Sequence, residues 1–449
     1  MLHKFEFEDS KVIMDIYSGA IHIVDKLVYE MVDDFQNNTK QALVEKYKKT
    51  YPDVAVLEAI NEIQGLIDQD MLFTEDVYED LIPAFKNRNP VVKAMCLHVA
   101  HDCNLACSYC FAGDGDYHGP KGLMSVEVGK AAMDYLVENS GNRRNLEVDF
   151  FGGEPLMNFE MVKEIVTYAR SIEKEANKNF RFTITTNGVL LDDEKQAYIN
   201  ENMCNVVLSI DGRKKVHDYV RKTRMGKGSY DLIMPKFQKL AETRGQKDYF
   251  VRGTFTRYNL DFAKDVMHLA DLGFKEISME PVVAPLDMPY AIQEEDLPKL
   301  YAEYESLAKQ MLQRKKDNKD FNFFHFNIDL SQGPCAHKRL AGCGSGTEYL
   351  AVTPEGDLYP CHQFVGMPEF KMGNVYQGIT DTTIGEQFAQ CHVYSKPKCK
   401  DCWAKFYCSG GCVANAYNFS NDIHDTYDIG CKLQRKRIEC AIGIQAQLL

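Results

Sequence analysis

Between residues 91 and 330, short apolar runs alternate with amphipathic stretches, and this alternation limits the possible folds more than any other feature of the chain. Candidate strands lie at 96–100, 146–151, 181–186, 204–210, 249–256 and 275–280. Stretches of helical periodicity separate them at 125–139, 160–176, 192–202, 230–245 and 260–273. Six β/α units in series predict a parallel sheet, because each helix carries the chain back across the sheet before the next strand begins. Six is fewer than the eight of a closed barrel, so the expected α/β fold is a partial (β/α)6, TIM-like barrel. Its site belongs at the carboxyl ends of the strands. A further helix near 295–316 ends in Arg314-Lys315-Lys316-Asp317, which reads as a solvated helix end.

The first candidate strand runs into His101-Asp-Cys-Asn-Leu-Ala-Cys-Ser-Tyr-Cys-Phe111, where Cys103, Cys107 and Cys110 are spaced C-x3-C-x2-C. Three thiolates from one loop suit an iron–sulfur cluster that needs four ligands, and the missing ligand leaves one iron open for chemistry. Disulfides fit poorly, since three is odd and the thiols are crowded. Zinc with His98 or His101 is the alternative, although a structural zinc site wants four protein ligands. Of the fifteen cysteines, only Cys96, Cys103, Cys107, Cys110 and Cys204 precede residue 331. The remaining ten crowd into 331–449, a segment of weak periodicity rich in Gly and Pro. Such density in a reducing compartment points to metal, and a segment with so little apolar content depends on metal to fold.

Residues 1–90 form a third region. Phe5 and Phe7, then Val12, Met14 and Ile16, then Ile21 and Ile23 follow period two, which predicts a small strand array. Asp25 is placed to cap a helix bearing Leu27, Val28, Met31, Val32 and Phe35. A second helix is expected over 40–49 and a third after Pro52, with a returning strand at Met71, Leu72 and Phe73. Strands plus three helices resemble a winged helix, whose usual partner is DNA. Here 9 Lys and Arg face 18 Asp and Glu, and the whole chain carries −13, so no nucleic-acid partner is expected. A sheet edge that captures an extended peptide suits the pattern better. The charged N-terminus carries no secretory signal and no apolar run is long enough to span a bilayer, so the expectation is a cytoplasmic protein with no membrane partner.

Taken together, these motifs resemble the radical S-adenosylmethionine (SAM) enzymes. In that superfamily the C-x3-C-x2-C cysteines hold a [4Fe–4S] cluster whose open iron is chelated by SAM. Cys103, Cys107 and Cys110 match residue for residue, and Tyr109 stands at the usual aromatic position. Gly152, Gly153, Glu154 and Pro155 match the GGEP element after the second strand, with Glu154 implied as acceptor for the SAM ammonium. Thr185-Thr186-Asn187-Gly188 and Ser209-Ile210-Asp211-Gly212 end the third and fourth strands. By resemblance, Asn187 and Ser209 are candidates for the ribose, and Arg221 for the carboxylate.

The C-terminal region resembles the SPASM extension of the same superfamily. Cys343, Gly356 and Cys361 are followed by Cys399-x2-Cys402-x5-Cys408-x3-Cys412 and then Cys431. The resemblance implies two auxiliary [4Fe–4S] clusters, giving three in all. Cys399, Cys402, Cys408 and Cys431 are implied for the outer one, and Cys343, Cys361 and Cys412 for the inner. No cysteine lies between Cys343 and Cys361, so either Cys335 completes the inner cluster or an open iron there takes a substrate thiolate. Cys96, Cys204, Cys391 and Cys440 fit no motif; Cys96 and Cys204 are expected buried in strands.

All three regions together resemble maturases of ribosomally made peptides, in particular those that install thioether crosslinks in six-cysteine-in-forty-five-residue peptides. The implied organisation is a leader-peptide recognition domain at 1–90, a radical SAM partial barrel at 91–330 and a SPASM domain at 331–449. The implied partners are a Cys-rich precursor peptide gripped by its leader and an external electron donor. The implied reaction joins a cysteine sulfur to a carbon, on threonine by expectation. Two rivals stay open: a sulfatase-type maturase making formylglycine, and an iron–sulfur sensor that binds DNA. Glu280, at the end of the sixth strand, is a candidate general base or a plain surface carboxylate.

Overall fold

The computed structural model describes residues 1–83, 90–330 and 339–448; Cys335 lies outside them. The N-terminal strands β1 (Leu2–Phe7), β2 (Ser10–Asp15) and β3 (Ile21–Val24) form an antiparallel sheet in that order. Helices α1 (Lys26–Phe35), α2 (Lys40–Tyr47) and α3 (Asp53–Asp68) follow. Asp25 caps α1 by accepting from the Val28 amide at 2.8 Å. The expected strand at 71–73 does not form. Leu72 is buried against the helices, while Phe73 sits at φ 58°, a backbone turn that ends extended pairing.

The central strand β2 is covered on both faces, which explains its run of four buried residues. Ile13 packs with Leu27, Val28, Met31, Val56 and Ile60 beneath the three helices. Phe5, Phe7, Val12, Met14 and Ile16 face the other way, into the main core. The N-terminal unit therefore shares its core with the rest of the chain.

Strands β4 (Ala94–His101), β7 (Asn145–Gly152), β8 (Asn179–Thr186), β9 (Asn205–Ser209), β11 (Tyr249–Phe255) and β12 (Glu276–Pro281) run parallel and neighbour one another in chain order. These are the six predicted strands. Helices α4 (Val126–Asn139), α5 (Phe159–Ala176), α6 (Asp193–Asn202), α8 (Tyr230–Thr243) and α9 (Phe262–Asp271) connect them, and α10 (Leu297–Lys316) follows the last. A two-residue strand, β13 (Asn322–Phe323), extends the sheet beyond β12, and the strand path does not return to close on itself. Cys96 is buried in β4, as expected, whereas Cys204 precedes β9 and is only half-buried.

Short pieces that periodicity cannot reveal complete the barrel mouth. Strand β5 (Leu105–Cys107), within the cysteine loop, pairs antiparallel with β10 (Arg221–Thr223), which follows helix α7 (Lys214–Val220); β6 (Gly122–Leu123) pairs with the end of β4. On the other flank of β4, strand β14 (Tyr349–Val352) adds in parallel, with Ala351 opposite Cys96. Strands β15 (Asp357–Tyr359), β16 (Gly373–Asn374) and β17 (Gly378–Ile379) continue antiparallel from it. The Cys-rich region is thus welded to the barrel sheet through backbone pairing. Helices α11 (Thr382–Ala389), α12 (Pro397–Lys400), α13 (Lys405–Cys408), α14 (Val413–Ser420) and α15 (Asp428–Ala446) complete it.

Helix α15 returns to the N-terminal sheet. A Cβ on Gly443 would lie 2.3 Å from the Phe7 ring, so only glycine lets that ring seat. His3 stacks on Trp403 with centroids 3.7 Å apart and meets Glu439 at 3.0 Å. Lys405, 1% exposed, pairs with Asp76 at 3.1 Å. No helix among the described residues is long and apolar enough to cross a membrane.

Candidate active site and cluster sites

Strand β4 ends at His101, and the turn that follows delivers Cys103, Cys107 and Cys110 to one pocket at the carboxyl ends of the parallel strands. Two devices fix that loop. The β5–β10 ribbon sets Arg221 opposite Cys107. Arg224 donates to the Cys103 carbonyl at 2.8 Å and to Asp114 Oδ2 at 3.0 Å. Burial pushes the Cys103 thiol up to about 12 and the Cys107 thiol up to about 11, the latter against the pull of Arg221. Metal ligation must therefore displace their protons.

Gly152 and Gly153 bring the end of β7 against the cysteine loop. A Cβ on Gly153 would fall 2.1 Å from the Asp102 carbonyl oxygen, and one on Gly152 would fall 2.3 Å from that of Ala100. Their amides explain the approach: Gly153 N–H donates to the Ala100 carbonyl at 2.8 Å and Glu154 N–H to that of Asp102 at 3.0 Å. Pro155 then opens a short 3-10 turn capped by Glu154.

The Glu154 carboxylate lines the pocket but its oxygens are engaged. It accepts from Thr186 Oγ1 at 2.7 Å, from the Asn187 amide at 2.8 Å and from the Leu156 amide at 3.0 Å. Burial nevertheless raises its carboxyl to about 7. Asn187 Nδ2 donates to Asn104 Oδ1 at 2.7 Å and lies 3.6 Å from Cys103 Sγ. Ser209 lines the same pocket from the end of β9.

Arg221 lines the pocket and is anchored through one nitrogen. Its Nε donates to buried Asp211 at 2.9 Å, and the same carboxylate accepts from Tyr109 OH at 2.7 Å and the Thr254 amide at 2.9 Å. Asp211 thus pins three segments of the mouth: the cysteine loop, β10 and β11. Sequence reasoning quoted Asp211 only as part of a turn. The available signal was a buried acid one residue before a glycine at a strand end, with an arginine ten residues on.

Aromatic and imidazole rings form the wall toward the Cys-rich region. His98 and His101 approach at 3.1 Å, and Tyr117 packs on both. Phe111 and Phe151 flank His362, which follows Cys361. His362, Gln363 and Asn415 line the same pocket as the cysteine loop. Cys361 is buried next to Cys343 and Cys412. Cys399, Cys402, Cys408 and Cys431 line a second, separate cavity with Lys398, Lys405 and Arg435. The seven C-terminal cysteines of the motif are therefore grouped three and four. Among the described residues, no three Cys, His, Asp or Glu side chains close to the spacing of a single-ion site. Thiols spread around a cavity fit a multi-atom cluster better than zinc.

Residues 97–280 match the radical SAM superfamily, and residues 343–403 match an iron–sulfur cluster-binding domain of the SPASM type. The chain carries a radical SAM domain and a SPASM domain. It is 24% identical over 349 residues to a cysteine-type anaerobic sulfatase-maturating enzyme of Clostridium novyi, covering 72% of this chain and 88% of that one. It is likewise 24% identical over 351 residues to the antilisterial bacteriocin subtilosin biosynthesis protein AlbA of Bacillus subtilis, covering 75% and 70%. Among solved structures, native anSMEcpe with bound AdoMet superposes with a TM-score of 0.67 at 19% identity, over 79% of this chain and 98% of that one. Streptococcus suis SuiB bound to S-adenosylmethionine superposes with a TM-score of 0.55 at 15% identity, over 96% and 98%. The radical SAM match contains Cys103, Cys107, Cys110 and the GGEP turn, and the SPASM match contains Cys343, Cys361, Cys399 and Cys402. The chain carries the radical SAM and SPASM domains that bind SAM and iron–sulfur clusters.

Proposed function

We propose that this enzyme is a peptide maturase that installs an intramolecular cysteine thioether crosslink, to a threonine carbon by expectation, in a ribosomally made Cys-rich precursor. One observation carries the reading: a single pocket joins the Cys103–Cys110 loop to His362, Gln363 and Asn415, beside the three-cysteine SPASM group. A carbon to be activated at one end and a sulfur to be held at the other would then lie in one enclosed space, where fixed geometry removes much of the entropic barrier.

In this reading Cys103, Cys107 and Cys110 would hold the cluster that SAM completes, and Cys343, Cys361 and Cys412 would hold a second, which would supply a site for a sulfur ligand. Cys399, Cys402, Cys408 and Cys431 hold a third. The bound cluster–SAM pair supplies an electron and a hydrogen-abstracting carbon radical. The protein's own residues do the rest. Asn187 and Ser209 offer hydrogen bonds to the ribose, Asp211 and Arg221 keep Cys107 in place, and Phe111, Phe151 and Tyr117 keep water out.

The three-stranded N-terminal sheet supports a leader-binding role. Among the described residues its outer strand β3 pairs only with β2, leaving an edge for an added peptide strand. A tethered core then samples the pocket at an effective concentration up to the millimolar range. The superposition on SuiB takes in nearly the whole chain, whereas that on anSMEcpe falls short by about the length of this unit. SuiB has also been solved with its precursor peptide SuiA.

Similarity to sulfatase-maturating enzymes, of cysteine type and of serine type, favours a second reading, oxidation of a cysteine or serine to formylglycine. Mass spectrometry of a Cys-rich, leader-bearing peptide separates the two when combined with aldehyde labelling. A thioether removes two hydrogens, keeps every sulfur and leaves no carbonyl, whereas formylglycine made from cysteine loses sulfur and formylglycine made from serine loses two hydrogens but reacts with a hydrazine. Reductive SAM cleavage without a two-hydrogen loss overturns the thioether assignment.

A further inference from the structure

On the pocket wall formed by β11 and β12 stands a charged pair that the proposed chemistry leaves unused. Arg252 Nη2 donates to Glu280 Oε2 at 2.5 Å, and both residues line the pocket. Behind them, Arg437 Nη1 lies 3.1 Å from His325 Nδ1. A guanidinium only donates, so this nitrogen accepts, and the imidazole is neutral with its proton on Nε2. That Nε2 sits 3.1 Å from Ser278 Oγ and 3.7 Å from Glu280 Oε1. Burial would raise the Glu280 carboxyl, but Arg252, with Arg437 behind it, holds it down at about 2. Glu280 is accordingly a fixed anion rather than a proton acceptor, and what it fixes is the direction of Arg252.

Arg252 is half exposed into the pocket, and Nη2 is its only nitrogen with a hydrogen-bond partner among the described residues. Its charge also reaches His362, on the SPASM side. Asn415 lines the same pocket from α14, and its Oδ1 is buried with no partner. The glycine cradle and the cysteine loop occupy the β4–β8 side instead. A cation with free donors and an orphaned acceptor, set between the cysteine loop and the SPASM group, complement the alternating carbonyls and amides of an extended backbone.

We propose that Arg252 and Asn415 clamp the backbone of the substrate peptide, with Arg252 donating to a carbonyl and Asn415 Oδ1 accepting from an amide, and with Glu280 as the positioning residue for Arg252. The proposal rests on the maturase reading and specifies which groups of that site select a peptide.

The test uses the full-length holoenzyme and, as probe, a leader-bearing Cys-rich peptide with every cysteine replaced by serine. Peptide affinity by fluorescence anisotropy and SAM affinity by calorimetry are measured on the same samples. Arg252→Ala weakens peptide binding roughly tenfold or more, the size of one charge-assisted hydrogen bond, and leaves SAM affinity alone. Arg252→Lys restores only part, since an ammonium lacks the planar fork. Glu280→Gln weakens binding less, and adds nothing to Arg252→Ala in the double variant, as expected of a residue acting through Arg252. Unchanged peptide affinity in Arg252→Ala, or a loss of SAM affinity in its place, overturns the clamp. If the wild-type enzyme binds no such peptide, the maturase reading falls and the clamp that rests on it falls too.

Discussion

Replacing Gly153 with alanine adds one methyl group at the point where two functional segments touch. The new Cβ would lie 2.1 Å from the Asp102 carbonyl oxygen, 2.6 Å from its carbon and 2.9 Å from the Gly115 carbonyl oxygen. All three are backbone atoms, so no rotamer change relieves the clash. Ordinary contact begins near 3.4 Å, which requires a displacement of more than 1 Å. The segment that must yield is the residue before Cys103, and the opposing segment is the GGEP turn. Overpacking of this kind costs about 1–3 kcal/mol of stability. The larger effect is geometric, because a misplacement of about 1 Å at a reacting centre costs roughly 100-fold in rate. The assay is reductant-driven formation of 5′-deoxyadenosine from SAM by anaerobically reconstituted protein, with iron per chain measured in parallel. Gly65→Ala in α3, where no atom lies within 4 Å, is the control and should leave the rate unchanged. A Gly153→Ala protein that keeps its iron and cleaves SAM within threefold of wild type would refute the idea that the glycine contact sets the cysteine loop.

Other outcomes follow from the same geometry. Asp76→Ala strips the counter-charge from Lys405, which is 1% exposed, at a cost of about 3–5 kcal/mol; faster proteolytic release of the N-terminal unit is the readout, and wild-type resistance counts against the pair. In metal-free protein Glu154 titrates near 4.5 unfolded and about 7 folded. Between those values the folded chain holds a proton that the unfolded chain has lost, so stability falls as pH rises through the window, by up to about 3 kcal/mol. Urea midpoints at pH 5 and pH 7 should show that fall in wild type and lose it in Glu154→Gln. Finally, three [4Fe–4S] clusters correspond to about twelve irons per chain, and Cys399→Ala combined with Cys408→Ala should remove about four; an unchanged iron content denies the four-cysteine cavity its cluster.

The parallel strands were legible because each is an apolar run of ordinary length between long amphipathic helices. Strands β4, β7, β8, β9, β11 and β12 fall within two residues of their expected limits at nearly every end. Cysteine spacing was equally legible, since it is local and each ligand is marked by its own chemistry. The elements that sequence reading missed are short and gain their meaning only in three dimensions. β5 and β10 have three residues each, too few for any period, yet together they set Arg221 against Cys107. Asp211 and Arg252 looked like ordinary polar residues, because neither a buried ion pair nor an unsatisfied donor leaves a pattern along the chain. The 71–73 strand failed for a related reason: apolarity called for burial, and Leu72 achieves that beneath the helices without a partner strand.

The N-terminal unit looked separable in sequence because its composition and periodicity change near residue 90. The packing argues otherwise. Five of its apolar side chains lie in the main core, Phe7 seats on Gly443, and Asp76 closes over Lys405. Cutting residues 1–90 away would therefore expose the C-terminal lobe as well as remove the proposed leader-binding edge. On the other flank, β14 pairs in register with β4, so the SPASM loop at His362 and the loop at Cys103 are tied to neighbouring strands of one sheet. Neither group of cysteines is free to move toward the other. In a thioether-forming enzyme built this way, the substrate has to supply the motion: a flexible core peptide threads between two fixed ends while its leader stays docked on a unit that is itself part of the core.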